Sequence, residues 1–284
     1  MCAVKSLLSL IRFPNLVIML LTQVLVRLCL VFPERSLAKS FTWPFGILLL
    51  ATFCIGASGY IINDYYDLKI DRINKPERII VGKGLTRRKA MMLHLYLSLV
   101  SVVLGTLLGW RIGLVYLGTG LLLWGYSAQL KKRMLVGNIT VALLAAAMVL
   151  VVPLQAGQPS LAAWAYGIFA FLMTLIREIV KDMEDVQGDA SFRCETLPIV
   201  LGLPKTKWVL YFLLLCFWAF TGFVIAHEWE SKLLVVYLFI GVVLPSLVLF
   251  RQLFYADRKR DFAQLSWLCK GIMVTGILSM LVWH

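Results

Sequence analysis

Nine apolar runs divide the chain, at about 14–32, 43–62, 90–109, 112–126, 136–154, 162–176, 208–226, 232–250 and 266–283. Each approaches the roughly 20 residues that carry an α-helix across a hydrocarbon layer of about 30 Å, and 112–126 is the shortest. Inside lipid every backbone N–H and C=O must find a partner within the chain, which leaves helices or closed barrels. The runs lack the alternation of barrel strands, so they predict an all-α, multi-pass membrane bundle of about nine transmembrane helices. Residues 1–284 are expected to form a single transmembrane domain. Its first run is read as a retained helix, because polar Gln23 and Arg27 interrupt it and no small-residue cleavage pattern follows.

The formal charge of +13 is distributed in a way that decides its purpose. Of the 28 Lys and Arg residues, 23 fall on one set of alternate segments: the N-terminus, 63–89, 127–135, 177–207 and 251–270. The other set holds only Arg35, Lys39, Arg111 and Lys232, with Arg27 inside the first run. Nucleic-acid binding needs no such alternation, whereas membrane proteins concentrate cations on their cytoplasmic segments. The pattern predicts a protein of the cell inner (cytoplasmic) membrane, N-terminus cytoplasmic, C-terminus outside, with membrane lipid and no nucleic acid as its surroundings. Six cysteines include no Cys-x-x-Cys pair, so neither a disulfide framework nor a zinc site is indicated.

Segments 63–89 and 177–207 are the longest connections, and long connections in compact proteins usually carry function. They hold two acidic clusters. The first reads Asn63-Asp64-Tyr65-Tyr66-Asp67-Leu68-Lys69-Ile70-Asp71, the second Asp182-Met183-Glu184-Asp185-Val186-Gln187-Gly188-Asp189. In both, carboxylates recur at i, i+3 and i+7, which aligns them on one face of a helix. Asp64, Asp67 and Asp71 share a face with Asn63 beside them; Asp182, Asp185 and Asp189 share another, with Glu178 one turn earlier. The clusters lie 118 residues apart, too far for a solenoid repeat and in keeping with two halves facing each other across a cavity.

Stacked like charges repel by a few tenths of a kcal/mol per pair even when exposed, and desolvation near a membrane raises the cost. A cation between two such faces relieves both effects. Mg²⁺ suits the position, because it keeps several waters and bridges one or two carboxylates to substrate phosphates. The pair of clusters therefore predicts Mg²⁺ and a diphosphate guest. Two other readings stay open from the residues alone: solvated helix ends with Lys69, Arg72 and Lys181 as partners, and a cation pathway such as a coupled transporter would use. Against the pathway, no comparable acid lies in the middle of a run.

Arg72, Lys75, Arg78 and Lys83 follow the first cluster and Arg193 the second; Arg177 and Lys181 precede the second, and Lys131, Lys132 and Arg133 close the fourth run. A departing diphosphate gains negative charge, and cations aimed at it stabilise that transition state. Arg78 and Lys131 are the candidates, although topology alone also places Lys and Arg on these segments. Gly82 and Gly84 fit no phosphate-loop fingerprint and predict a turn. Tyr60, Tyr65, Tyr66, Trp124 and Tyr126 could shield a carbocation with their π-faces, though most aromatics in such a chain pack or meet lipid. His94, His227 and His284 form no ligand set.

With both motifs complete, the chain resembles the UbiA superfamily of intramembrane prenyltransferases, marked by Asn-Asp-x-x-Asp-x-x-x-Asp and Asp-x-x-Asp-x-x-x-Asp. Arg12-Phe13-Pro14-Asn15 is similar to the family's Arg-Pro-x-Asn, and Ile73-Asn74-Lys75-Pro76-Glu77-Arg78 extends the likeness. The resemblance implies nine helices around a central cavity open to lipid, with Asn63, Asp64, Asp67 and Asp71 as one catalytic metal-diphosphate set and Asp182, Asp185 and Asp189 as the other. Asn15 would line the cavity. The family's Tyr-x-x-x-Lys element corresponds to Tyr126 and Lys131, one residue further apart here. The stretch 177–189 with Thr196-Leu197-Pro198-Ile199 looks like the geranylgeranylglycerol-phosphate geranylgeranyltransferases, while homogentisate prenyltransferases and chlorophyll synthases share part of it. The expected reaction is transfer of a prenyl group from a polyprenyl diphosphate to a lipophilic acceptor, either geranylgeranylglyceryl phosphate in ether-lipid synthesis or an aromatic quinone precursor of the 4-hydroxybenzoate or homogentisate type.

Overall fold

The structure is a computed structural model that describes residues 7–32, 34, 37–74, 80–82, 84–192 and 194–283. Among the described residues nine long helices follow one another: α1 (Phe13–Val31), α2 (Trp43–Asn74), α3 (Arg87–Leu107), α4 (Trp110–Ala128), α5 (Val136–Ala156), α6 (Leu161–Ser191), α7 (Leu197–His227), α8 (Lys232–Tyr255) and α9 (Lys259–Val282). No strand forms among them; Val81 and Leu85 make an isolated bridge. Eight of the nine are long and apolar enough to cross a membrane. The exception is α4, the shortest expected span, whose 19 residues include Arg111 and four glycines that dilute its apolar character. It packs against α2 and α3 as part of the same bundle. The chain is a multi-pass membrane protein.

Two helices outrun their apolar stretches. The segments after 62 and after 176, expected as long connections, are mostly helix, because α2 continues to Asn74 and α6 to Ser191. Charge does not stop a helix, and the Leu, Lys, Ile, Met and Glu residues among the acids are serviceable helix formers. The stop after α6 is set by Thr196, the N-cap of α7, and Pro198 in its first turn. α7 accordingly starts well before the expected 208. Its apolar stretch is separated from this start by a kink at Gly202, whose φ of 77° suits glycine, and by Pro204.

α2 and α6, which carry the acidic clusters, touch each other, and α6 also packs against α5, α7 and α9. Lipid gives helices no hydrophobic reason to associate, so close packing and polar contacts must hold them. Thr52 and Tyr116 hydroxyls lie 2.7 Å apart between α2 and α4. Ser58 on α2 meets His94 Nδ1 of α3 at 2.7 Å, which makes His94 a staple of the bundle. Tyr166 of α6 meets Ser279 of α9 at 2.6 Å.

The cation inside the first run is the strongest such staple. Arg27 is 4% exposed; its Nε donates to the Ser40 carbonyl at 2.7 Å, one terminal nitrogen to Gln155 Oε1 at 2.7 Å and the other to Thr42 Oγ1 at 3.2 Å. Its guanidinium also covers the rings of Phe32 and Phe45. Arg27 thereby ties α1, the turn before α2 and the end of α5 together, at the end of the bundle opposite the acids. Arg27→Met keeps much of the volume but strands these acceptors, and is expected to lower the unfolding free energy in detergent by about 2–4 kcal/mol. An unchanged melting temperature would contradict this role.

Candidate active site

The acids stand on helices in the register their spacing demanded. α2 presents Asn63, Asp64, Asp67 and Asp71, and α6 presents Asp182, Asp185 and Asp189, all half-buried. Carboxylates in such surroundings require partners. Arg12, just before α1, donates to Asp64 Oδ1 at 3.1 Å and lies over the ring of Tyr60. Its backbone is left-handed, with φ 49° and ψ 53°, a conformation that costs an L-residue about 1–2 kcal/mol. Burial opposes its charge, yet Asp64, Tyr60 and Asp71 together raise its pKa above the ordinary value.

Asp67 is bonded by Lys131 Nζ, and both side chains are 15% exposed or less. Lys131 belongs to a tight turn, Leu130–Lys132, between α4 and α5. Gly137 lets this turn lie against the start of α5: a Cβ there would stand 2.7 Å from Lys131 Cα and 3.0 Å from the Leu130 carbonyl. The next residue, Asn138, donates to Asp182 Oδ2 at 2.8 Å. One connection, 131–138, thus grips the first cluster through Lys131 and the second through Asn138.

Tyr126 closes the circle. Its hydroxyl is within electrostatic reach of Asp67 from one cluster, Asp182 and Glu178 from α6, and Arg12. Cys194, beyond the end of α6, is likewise within reach of Asp189, Lys132, Lys131 and Asp67. The two clusters therefore border a single site. Burial and Asp189 push the Cys194 thiol up, which disfavours the thiolate form needed of a nucleophile.

Asn15 is half-buried on the first turn of α1, where its N–H bonds the Arg12 carbonyl at 2.8 Å. Lys181 is engaged with Glu178 at 2.9 Å rather than with an Asp of the cluster. Arg78 lies outside the described residues, as do Lys75, Lys83 and Arg193. Of the aromatics considered as cation shields, Tyr60 carries Arg12, Tyr65 carries Arg87 with 4.6 Å between guanidinium and ring centre, and Trp124 is exposed. Sequence reasoning did not assign Arg12, Gly137, Asn138 or Glu178 to the site. Arg12 stands in the stretch before the first run and Asn138 shortly after the basic Lys131–Arg133 segment, but only the fold shows which acids they meet.

Among the described residues no three acidic, His or Cys side chains converge on one point, so there is no preassembled metal cage. The donors available are carboxylate and amide oxygens, the hard ligands that suit Mg²⁺, which takes one or two carboxylates and fills its shell with phosphates and water. Arg12 and Lys131 already neutralise the carboxylates at which such an ion would act. The residues fit the ion through donor chemistry and charge. A small apolar cavity lined by Tyr166, Phe169, Thr221 and Ser279 lies apart from this site, about 20 Å along α6 from Asp182 at 1.5 Å per residue.

The profile of the UbiA prenyltransferase family matches residues 20–271. A digeranylgeranylglyceryl phosphate synthase from Methanosphaera stadtmanae is 40% identical over 166 residues, which are 58% of this chain and 61% of that protein. The chain thus spans about three fifths of the length of this relative. A solved structure of digeranylgeranylglyceryl phosphate synthase in membranes aligns with a TM-score of 0.72 at 23% identity, over 100% of this chain and 99% of that one. A UbiA homologue from Archaeoglobus fulgidus bound to GPP and Mg²⁺ aligns with a TM-score of 0.68 at 17% identity, over 97% and 99%. With the family profile covering most of its length and the fold shared from end to end, the chain belongs to the UbiA prenyltransferase family.

Proposed function

We propose that the chain is a Mg²⁺-dependent prenyltransferase that moves a geranylgeranyl group from its diphosphate to the free hydroxyl of geranylgeranylglyceryl phosphate, forming the second ether of digeranylgeranylglyceryl phosphate. The observation that carries this reading is the meeting of two carboxylate faces, from α2 and α6, at one half-buried site lined by cations. The name of the Methanosphaera relative supports the acceptor, and the GPP and Mg²⁺ named for the Archaeoglobus structure support the donor and the ion. The 23 cations on alternate segments support a cytoplasmic site in the cell inner (cytoplasmic) membrane, N-terminus inside and C-terminus outside.

Bound Mg²⁺ would neutralise the diphosphate and weaken its bond to the allylic carbon. Asn63, Asp67, Asp71, Asp182, Asp185 and Asp189 are the oxygen donors that would hold it, and Asp64 completes the catalytic set. Lys131, released from Asp67, and Arg78 take phosphate oxygens, while Asn15 and Tyr126 border the donor and Lys181 serves the acceptor. The allylic carbon–oxygen bond breaks with its electron pair leaving on the diphosphate. The glycerol oxygen then bonds to that carbon and gives up its proton to the oxyanions of the site. Buried Ile61, Ile62, Ile179 and Met183 flank the acids and keep water from the cation.

Purified protein given geranylgeranyl diphosphate, Mg²⁺ and geranylgeranylglyceryl phosphate is expected to form the diether, identified by mass spectrometry, with activity reduced about 100-fold or more in Asp67→Ala and Asp185→Ala. Prenylation of 4-hydroxybenzoate instead would move the acceptor to quinone synthesis. Absence of both product and released diphosphate would favour a cation-coupled transporter. Gly137→Ala, whose Cβ would press on the backbone of Leu130 and Lys131 and push Lys131 away from Asp67, is expected to lower the melting temperature and to slow turnover of the folded protein about tenfold or more; positioning errors of about 1 Å have such effects. Wild-type turnover in Gly137→Ala would remove Lys131 from the mechanism.

A further inference from the structure

We propose that Arg177 and Lys181, held by the Glu178 between them, form a second anion subsite that takes the phosphate monoester of the acceptor, separate from the diphosphate site of the two Asp clusters. The proposal rests on the prenyltransferase reading above and adds how its acceptor is selected. Glu178 is 6% exposed and lies one turn before Asp182 on α6. Its Oε1 accepts from an Arg177 terminal nitrogen at 2.8 Å and from Lys181 Nζ at 3.1 Å, and its Oε2 accepts from Lys181 at 2.9 Å. Arg12 stands within electrostatic reach of the same carboxylate.

Two cations on one buried carboxylate, with side chains 18% and 29% exposed, leave one positive charge available to an anion that arrives at their accessible side. Arg177 also keeps an unused donor. Its Nε is buried and has no hydrogen-bond partner among the described residues, although buried donors are nearly always paired. Held by Glu178 through one terminal nitrogen and 18% exposed as a side chain, the guanidinium keeps further N–H donors for an oxyanion. Arg177 is also within electrostatic reach of Cys269 of α9. A planar fork and an ammonium approach from different directions and match the three oxygens of a phosphate monoester, which carries about −1.5 to −2 charges at neutral pH. A carboxylate would be satisfied by the guanidinium alone.

The position also suits the headgroup. Glu178, which holds both cations, lies four residues before Asp182 on the same helical face, about 6 Å along the axis, so a phosphate taken by these cations leaves the adjoining glycerol carbons to reach towards the Asp cluster. Glu178 is a positioning residue in this scheme: it sets the two cations and touches no reacting atom.

The test is binding to purified wild-type and variant protein without donor, comparing geranylgeranylglyceryl phosphate with the same lipid lacking its phosphate. Wild-type protein is expected to prefer the phosphorylated lipid about tenfold or more, as charge-assisted hydrogen bonds allow. Arg177→Gln and Glu178→Gln are expected to lose that preference, and Arg177→Lys, which keeps the charge without the fork, to retain part of it. In turnover, Arg177→Gln should raise KM for the phosphorylated acceptor while KM for geranylgeranyl diphosphate stays within about twofold. Lys181→Gln gives the same reading where Arg177→Gln does not fold. A preference for phosphate that survives in the variants, or is missing from wild type, overturns the subsite. Intact preference without prenyl transfer overturns the proposed function and leaves the subsite standing.

Discussion

Carboxylates set one above another on a helix at the edge of a membrane cannot stand without counter-charge, and this constraint organises the working end of the molecule. Asp64 draws in Arg12 from before α1, Asp67 draws in Lys131 from the turn after α4, and Asp182 draws in Asn138 from the start of α5. An exposed ion pair contributes little, about 0–1 kcal/mol. Removing one partner of a buried pair costs about 3–5 kcal/mol, because a charge is left without compensation. Lys131 and Asp67, both little exposed, belong nearer the second case. The pairs therefore tie the start of α1 and the turn between α4 and α5 to α2, and α5 to α6, and the left-handed backbone of Arg12 is a local cost accepted for its contact.

The far end of the bundle meets the same difficulty with the opposite sign. Arg27 is a cation among apolar helices, and it is satisfied by a carbonyl, an amide, a hydroxyl and two aromatic faces without any acid. At the acidic end the partners of Asp64 and Asp67 are ionic and exchangeable, so in the proposed reaction an arriving diphosphate and its metal would take over these two pairings. Neutral fixed pairing at one end and exchangeable ionic pairing at the other separate structural support from chemistry along one set of helices.

Much of this was legible in the sequence, because lipid imposes a strict length and a strict backbone rule. The apolar runs marked every long helix, and the i, i+3, i+7 spacing of the acids named the two helical faces. Helix ends were less legible: apolarity ends at 62 and 176, whereas backbone hydrogen bonding continues to Asn74 and Ser191. α4 was the hardest span to read, since Arg111 and its glycines weaken the only signal available. Arg12 and Asn138 escaped assignment because their partners, Asp64 and Asp182, lie 52 and 44 residues away in the chain. A glycine required by the approach of Lys131 leaves no pattern in a single sequence.

The central claim is that α2 and α6 contribute to one site. A double-mutant cycle on Mg²⁺-dependent binding of geranylgeranyl diphosphate, with Asp67→Asn, Asp185→Asn and both together, tests it most directly. Groups that share a ligand couple, whereas distant independent sites add within about 0.3–0.5 kcal/mol. A coupling energy of about 1 kcal/mol or more is the predicted result, and additive losses in affinity would contradict a shared site.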